Sequence, residues 1–499
     1  MPTLDPRTSG RTILIRFSGD ISTKASATKR RFNRRLAQNV ADGLRANGIG
    51  YRLERGWDRF TLQVDSPAAV DVLQRVFGVQ SVSPAEERAW ETLDDVVAAG
   101  EEVFRDHVAG KSFAVRARRS GDIRLIPFVS QDVERGLGTA LLRTATRVDL
   151  GNPEAVANVE VQRDRTFFFR DKLPAPGGLP VGVGGRALAL VSGGFDSAVA
   201  AWLMLKRGVA PHYLFYNLGG DAHREGVLRV TKVIADHWSY GYRPALYEVD
   251  FQGVTEEIQE KVSRRYWQVV LKRLMLRAAG SILRQARATA LVTGDAVGQV
   301  SSQTLQNIAV ISGATEYPVL RPLIAYNKEE IIALARRIGT YQLSAAVDEY
   351  CAILPRNPAT HASREAIEAE EAKLDLARLD VLTAERRKLD LRSFSVEGLG
   401  RPDLEVDRIE EGDTVLDLRS RIAYEAWHPP GALHLEFLEA LKTYPSFRRG
   451  PRYVLYCEVE LKSAHLAERM REAGFEAYHV REGVKTLLRR SREVGQLLG

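Results

Sequence analysis

Cysteine is nearly absent from this chain: two in 499 residues, Cys351 and Cys457. Two cysteines build no disulfide framework, so the chain reads as a protein of a reducing compartment, the cytoplasm, with at most one functional pair. No Cys-x-x-Cys pair occurs, which excludes metal clusters of that type, and no metal ligand is assigned. No apolar run approaches the roughly 18–20 residues that cross a bilayer, so no membrane partner is expected. Residues 1–10 are polar and show no secretory leader. Acidic residues are scarce in one place. Residues 1–40 hold nine Lys/Arg against Asp5 and Asp20, a surplus equal to the +7 of the whole chain. That density favours a polyanionic partner. A solvated Arg-rich helix face is the alternative, and charge alone does not separate the two.

At 44% hydrophobic and 27% charged residues the composition is that of an ordinary soluble protein. The length suggests about three or four domains. Residues 11–18 read as a strand, and 26–47 as an amphipathic helix with Phe32, Leu36, Val40 and Leu44 four residues apart. Strands near 51–54 and 60–65 and a helix near 67–75 complete a small α+β sandwich. A helix is expected over 86–108, a strand over 113–118 carrying Arg116 and Arg118, and a helix over 131–143. Residues 148–150 and 157–161 read as extended, and Phe167–Phe169 as a buried strand end or an exposed aromatic patch. Residues 173–185, with three Pro and five Gly, read as a linker or flap. Beyond it, continuous apolar runs near 187–191, 212–216, 245–249 and 289–293 alternate with helices, the pattern of a doubly wound parallel sheet. Residues 363–390 are charged and helix-forming. A last α/β unit begins near 400, with strands at 415–417, 453–456 and 477–479.

The most informative segment is Ser192-Gly193-Gly194-Phe195-Asp196-Ser197, directly after the apolar run Ala187 to Val191. A strand opening into a Gly-rich turn with a helix behind it aims backbone N–H groups and a helix N-terminus at an anion. Gly193 and Gly194 permit close approach, and Ser192 and Ser197 add hydroxyls. The Gly-Lys-Ser/Thr end of a P-loop is missing. The segment instead matches the SGGxDS loop of enzymes that split ATP into AMP and pyrophosphate to adenylate a carbonyl oxygen. Four small residues around one Asp suit no ordinary turn, which argues against an empty Gly-rich turn.

A second strand, Ala290 to Val292, ends at Gly294 and leads into a polar segment through Gln303, which offers amides to a planar ligand such as a purine. Cys457 ends the apolar strand Tyr453–Tyr456, before a short loop, Glu458 to Ser463, and a helix from Ala464. Amides converging there lower a thiol pKa and favour a thiolate or persulfide. Val415-Leu416-Asp417-Leu418-Arg419-Ser420 and His428-Pro429-Pro430-Gly431-Ala432 complete the pattern of a rhodanese domain. A persulfide that surrenders its outer sulfur needs a reductant or a second thiol, and Cys351 is the only other thiol in the chain. Lys272 and Lys328 lie on expected helices, where a lysine usually faces solvent.

Along nearly its full length the chain resembles the tRNA uridine 4-sulfurtransferases, also called tRNA 4-thiouridine synthetases. The resemblance rests on Leu190 to Ser197, on Val292-Thr293-Gly294 through Gln303-Thr304, and on Arg321-Pro322-Leu323-Ile324 with Lys328. It implies a multidomain α/β chain: a ferredoxin-like α+β domain (1–80), a THUMP RNA-binding domain (81–172) and a linker (173–186). A doubly wound ATP-pyrophosphatase domain (187–362), a helical connector (363–399) and a rhodanese-like domain (400–499) follow. It further implies an ATP site holding Leu190, Val191, Lys272, Gly294 and Gln303. Asp196 would position Mg2+ and pyrophosphate, and Lys328 would assist adenylation. Cys351 and Cys457 fall where the family has its two redox-active cysteines.

The implied reaction is ATP-dependent transfer of persulfide sulfur to uridine 8 of tRNA through an adenylated uridine, with a cysteine desulfurase as sulfur donor. Some members also pass sulfur to thiamin thiazole synthesis, which adds a sulfur-carrier protein as partner. A rhodanese-type carrier without tRNA chemistry and another pyrophosphatase-loop ligase are the alternatives. One departure stands out: the loop after Cys457 lacks the family's Arg-Gly pair and carries Glu458 and Glu460. Acids beside a persulfide anion raise its pKa.

Overall fold

The structure is a computed structural model. It describes residues 11–218, 220–347, 357–396, 399, 403–458 and 461–497. The chain divides into two compact units: one runs to Gly184 and takes in 206–208 and 240–242, and the other holds the rest. No helix of the described residues is long and apolar enough to cross a membrane.

The first unit is built on one nine-stranded sheet. Its strands are β1 (Arg11–Phe17), β2 (Tyr51–Arg55), β3 (Arg59–Val64), β4 (Val79–Ala89), β5 (Ser112–Arg119), β6 (Arg147–Val148), β7 (Ala155–Val161), β8 (Arg165–Phe169) and β9 (Leu173–Pro174). The order is β2-β3-β1-β4-β8-β7-β5-β6, with β9 also on β4. Ile13, Ile15 and Phe17 of β1 and Phe60, Leu62 and Val64 of β3 pack with the apolar stripe of helix α1 (Ser26–Ala46). The intervening residues point to the opposite face. There Leu14 packs with Phe167 and Phe169, and Arg16 and Arg59 both pair with the buried Glu160. Phe167–Phe169 is thus a buried strand end.

The helix expected over 86–108 is a strand for its first four residues. β4 pairs Leu14 with Ser83 in its first half, and Phe167 with Glu87 in its second. One long strand therefore joins the two halves of the sheet. Glu86-Glu87-Arg88-Ala89 suits a helix locally, but ladder partners on β8 override that preference. The helix, α2, runs over Leu93–Val108. It starts at a capping box: the Thr92 hydroxyl accepts from the Asp95 N–H at 3.3 Å, and the Asp95 carboxylate accepts from the Thr92 N–H at 2.8 Å. Residues 173–184 do not run free as a linker. Pro176, Gly177, Gly178, Pro180 and Val181 are buried, the Gly78 N–H donates to the Gly177 carbonyl at 2.8 Å, and Arg35 Nε donates to the Val181 carbonyl at 2.7 Å.

The second unit holds two sheets. The first has the order β14-β13-β10-β11-β12-β15, with β10 (Arg186–Leu190), β11 (Ala210–Asn217), β12 (Ala245–Asp250), β13 (Leu291–Val292), β14 (Val319–Leu320) and β15 (Arg387–Asp390). All pairs are parallel except β12 with β15. Residues 363–390 are therefore no free helical connector. They form two short helices, Arg364–Glu371 and Ala377–Ala384, and then an edge strand of the sheet. The buried Arg273 fixes the first of these helices, with Nε 2.6 Å and Nη2 3.0 Å from the Glu371 carboxylate. The second sheet is parallel, in the order β16 (Glu405–Val406), β20 (Glu476–Val480), β19 (Arg452–Tyr456), β17 (Thr414–Asp417), β18 (Leu433–His434).

Phe167 is fully buried against Leu14. Phe167→Ala should cost the first unit about 3–5 kcal/mol. Amide exchange should quicken in both β1 and β8, whereas a rise confined to β8 would show that the two halves of the sheet do not support each other.

Candidate active site

The Gly-rich loop lies where the sequence places it, at the C-terminal end of β10, the position where open α/β sheets bind ligands. Ala187, Leu188 and Ala189 are buried, the chain turns through Ser192–Gly194, and helix α3 begins at Phe195 and ends at Lys206. Gly193 has φ +82°, and a Cβ there would lie 2.6 Å from a Val347 methyl. The Ser197 hydroxyl is spent within the loop: it accepts from the Ser192 N–H at 3.3 Å and donates to the Gly194 carbonyl at 3.2 Å. It shapes the cradle and leaves the anion to the exposed Ser192 and to backbone amides.

Gly294 follows β13, and its backbone lies directly on this loop. A Cβ at 294 would sit 2.6 Å from the Asp196 carbonyl carbon and 2.8 Å from the Ser197 nitrogen. Between the two strand ends lies a cavity of about 240 Å³. Leu190, Leu214, Tyr216, Met275, Leu276 and Ile311 form its apolar side, suited to a planar base. Val191, Ser192, Asp196, Ser197, Gly294 and Gln303 line it as well. Gly193, Gly194, Phe195 and Lys328 lie beside it, outside the lining.

Asp295, which the sequence reading did not single out, is the hub of the polar side. It accepts from Lys272 Nζ at 2.9 Å, Thr293 Oγ1 at 2.7 Å, Arg321 Nε at 3.3 Å and Gln303 Nε2 at 3.4 Å. Burial on its own would raise this carboxyl, but Lys272, Thr293 and Arg321 outweigh burial and hold its pKa at about 2. Lys272 is only partly exposed, because its helix, α4 (Trp267–Gln285), buries Val269, Val270, Leu271, Arg273 and Leu274 around it and Nζ is taken by Asp295. His223, also missed, lines the cavity. Its Nε2 is 3.2 Å from the Ser192 carbonyl, which can only accept, so Nε2 carries the proton. Burial pushes His223 down to about 4 and keeps the ring neutral.

Asp196 stands at the rim with two partners. Gln299 Nε2 donates at 2.8 Å, and Lys328 Nζ lies 3.5 Å away. Lys328 is the first residue of helix α5 (Lys328–Ile338), capped by Asn327, whose side chain accepts from the Glu330 N–H at 2.9 Å. A cation at a helix N-terminus opposes the dipole. Here Asp196 and the Phe195 ring, 5.2 Å from Nζ, hold it in place.

Cys457 follows β19 and is fully buried, with Sγ 3.5 Å from Ser463 Oγ in the first turn of helix α7 (Leu461–Glu472). That helix starts three residues earlier than the sequence reading has it, and Val459 and Glu460 lie outside the described residues. Beside Cys457 is a cavity of about 180 Å³. Glu458 and Lys462 line it on one side, and Tyr341, Gln342 and Ala346 of helix α6 (Tyr341–Val347) on the other. Val347 packs on Leu461. The segment that follows, 348–356 with Cys351, lies outside the described residues.

In the first unit the basic surplus divides. Lys29 is buried on Asp58 at 2.6 Å, Arg35 bonds backbone carbonyls, and Arg16 meets Glu160. Lys24, Arg30, Arg31, Arg34, Arg116 and Arg118 are exposed.

Two outcomes follow from this geometry. Gly294→Ala should push the loop off Asp196 and Ser197 and abolish nucleotide binding by calorimetry, and retained affinity would show that the two strand ends separate freely. Asp295 is depressed below its ordinary value of 3.8, so its contribution is full above 3.8 and fades as pH falls toward 2. Asp295→Asn should therefore cost about 2 kcal/mol at pH 7, and denaturant melts should show the difference shrinking below pH 4.

Residues 182–376 match the family described as "Thiamine biosynthesis protein (ThiI)", and residues 12–83 match "ThiI ferredoxin-like domain". Residues 91–171 match "THUMP domain", and 403–488 match "Rhodanese-like domain". A tRNA sulfurtransferase of Pyrobaculum aerophilum is 36% identical over 476 residues, covering 94% of this chain and 96% of its own. A tRNA sulfurtransferase of Sodalis glossinidius is 34% identical, covering 93% and 98%. Among solved structures, a 4-thiouridine synthetase–RNA complex with bound ATP superposes with a TM-score of 0.67 at 29% identity, covering 76% of this chain and 99% of that one. With such identity over almost its whole length, the chain belongs to the ThiI family of tRNA sulfurtransferases.

Proposed function

We propose that this protein converts uridine 8 of tRNA to 4-thiouridine, using ATP to adenylate the base and a persulfide on Cys457 to supply sulfur. The observation that carries this reading is the content of one compact unit: a cavity at the Ser192–Ser197 loop, an Asp196–Lys328 pair at its rim, and a buried rhodanese cysteine. Its relatives' names and the RNA and ATP of its structural neighbour support the same reading. Six segments correspond to it: a ferredoxin-like domain (1–80), a THUMP domain (81–172), a joining segment (173–186), an ATP domain (187–362), a connecting segment (363–399) and a rhodanese-like domain (400–499).

The base lies on the apolar side of the cavity, and the phosphates lie on the loop amides and the N-terminus of α3. Lys272, aimed by Asp295, and Lys328, held by Asp196, supply positive charge where negative charge grows on pyrophosphate. Mg2+ fits this site. Asp196 is one carboxylate at the rim, and Mg2+ is commonly held by one or two carboxylates plus substrate phosphates. It supplies charge neutralisation on the phosphates. O4 of the uridine attacks the α-phosphorus, the bond to the β-phosphate oxygen breaks, and a poor leaving oxygen becomes AMP.

The outer sulfur of the Cys457 persulfide then attacks C4 and AMP departs. The thiolate of Cys351 attacks Cys457 Sγ, which frees 4-thiouridine and leaves a Cys351–Cys457 disulfide for a cellular reductant. Reach supports this pairing. Val347 packs on Leu461 near Cys457, and four residues of chain span at most roughly 14 Å. A cysteine desulfurase supplies the persulfide, and a cytoplasmic setting supplies desulfurase, reductant and tRNA. Lys24, Arg30, Arg31, Arg34, Arg116 and Arg118 hold tRNA phosphates, giving affinity and register rather than base readout. A second role, sulfur transfer to a carrier protein of thiamin thiazole synthesis, is favoured by the family's description and would need only the rhodanese-like residues.

Incubated with ATP, Mg2+, cysteine, a desulfurase and tRNA, the protein should yield 4-thiouridine by nucleoside mass spectrometry, together with AMP and pyrophosphate. Asp196→Ala should give none, Cys457→Ser should lose most of it, and Lys328→Ala should slow adenylation by about 10²–10³. Release of ADP and orthophosphate would overturn the reading.

A further inference from the structure

The amide of Gln303 is in an unusual position. The residue is 7% exposed and lines the cavity between the two strand ends. Its Nε2 donates to Asp295 Oδ1 at 3.4 Å. The reversed amide would set Oε1 against a carboxylate oxygen, two acceptors without a proton between them, so Asp295 determines which way the amide points. Oε1, the end left over, is buried and has no hydrogen-bond partner among the described residues. A buried acceptor without a donor is costly, and at the wall of a cavity the donor must come from what fills that cavity.

Asp295 is itself held firmly. Thr293 Oγ1 and Arg321 Nε both donate to Oδ2, at 2.7 and 3.3 Å. Arg321 is anchored in turn, with Nη2 on Ser312 Oγ at 2.9 Å and Nη1 on the Val319 carbonyl at 3.4 Å. Oδ2 is thus committed to the protein frame, and Oδ1 faces the two side chains of the cavity wall, Lys272 and Gln303. Lys272 keeps donors beyond the one it gives Asp295, since an ammonium carries three.

We propose that Asp295 is a positioning residue of the nucleotide site: it locks Gln303 so that Oε1 accepts a hydrogen bond from the nucleoside, and it aims Lys272 at the phosphates. This rests on the reading above, that the cavity takes ATP. The group sought is a nucleoside donor beside a fixed acceptor, either the exocyclic amine of adenine or a ribose hydroxyl. An amide locked in one sense discriminates against a nucleoside that lacks the donor, because the buried oxygen then stays unsatisfied.

The test compares ATP with three analogues, purine riboside triphosphate (no 6-amino group), 2′-deoxy-ATP and 3′-deoxy-ATP. Affinity is read by calorimetry and kcat/KM by AMP release in the presence of tRNA. The unaltered protein should disfavour one of the three by about ten- to hundredfold, and which one identifies the donor. Gln303→Leu should weaken ATP by that same factor and bind the disfavoured analogue as well as it binds ATP. Asp295→Asn, whose amide can donate to Oε1 and so release the lock, should also lose the preference, and KM for ATP should rise by a larger factor than kcat falls. Thr293→Val, nearly isosteric, should weaken the preference partway and serves where Asp295→Asn does not fold. A preference that survives Gln303→Leu, or none among the three analogues, overturns the acceptor role. A preference lost in Gln303→Leu and intact in the Asp295 and Thr293 variants overturns the lock. Absence of ATP binding by the unaltered protein would instead refute the functional reading itself.

Discussion

The close approach of two strand ends governs the rest of the second unit. The chain leaving β13 lies on the backbone of the Gly-rich loop leaving β10, with Gly294 against Asp196 and Ser197. No side chain fits between them. That contact sets the width of the cavity, places Asp295 one residue beyond it on the wall, and fixes the height at which Asp196 stands at the rim. The parallel pairing of β10 with β13, Leu188 to Leu291 and Ala189 to Val292, holds the two ends level. Loops at a switch point are ordinary in open α/β sheets. Two of them in backbone contact make a rigid wall on which charged side chains keep their aim.

Charge is distributed over that wall economically. Each of two carboxylates restrains a lysine. Asp295 takes Lys272 at 2.9 Å and is itself tied by Thr293 and Arg321. Asp196 takes Lys328 at 3.5 Å and Gln299 at 2.8 Å. The two pairs differ in burial. Asp295 is deep, and its network keeps the carboxylate charged at every physiological pH. Asp196 is at the rim, where its side chain is 24% exposed and accessible to phosphates and water. Both lysines are therefore oriented by a carboxylate while still partly exposed, which lowers the ordering cost of binding an anion. The neutral His223 adds no charge and braces the loop through the Ser192 carbonyl.

Much of this was legible in the sequence because local chemistry and tertiary outcome agree. The strand-loop-helix around Ser192–Ser197, the stripe of α1 and the parallel strands each have a period or turn signature that the fold keeps. What was hidden depends on partners distant in the chain. Glu86–Ala89 has a helix former's composition and becomes strand because β8 supplies a ladder. Arg387–Asp390 shows no strand period and is recruited by β12 at the sheet edge. The segment 173–184 looks like a linker, yet its glycines and prolines pack against Gly78 and Arg35. Asp295 sits in a stretch singled out for its glycines, and nothing local tells that Lys272, 23 residues earlier, and Arg321, 26 later, converge on it. Ser197 shows the opposite limit: its hydroxyl was legible as a donor, but the loop uses it for its own closure.

One side chain stands between the Gly-rich loop and the helix turn beside Cys457. Val347 ends α6. One of its methyl groups fills the space beside Gly193, and Val347 shares a buried cluster with Ala346 and with Leu461 at the start of α7. Two residues on, Ser463 touches the sulfur of Cys457. Interiors are close-packed and transmit displacement rather than absorb it. The Gly-rich loop and the first turn of α7 therefore border one close-packed cluster. Gly226, on the helix Gly220–Trp238 that also carries His223, presses on Val347 from a third side. The Gly-rich loop and the helix turn beside Cys457 thus border one buried valine, so the two candidate sites of this unit are built on a common support.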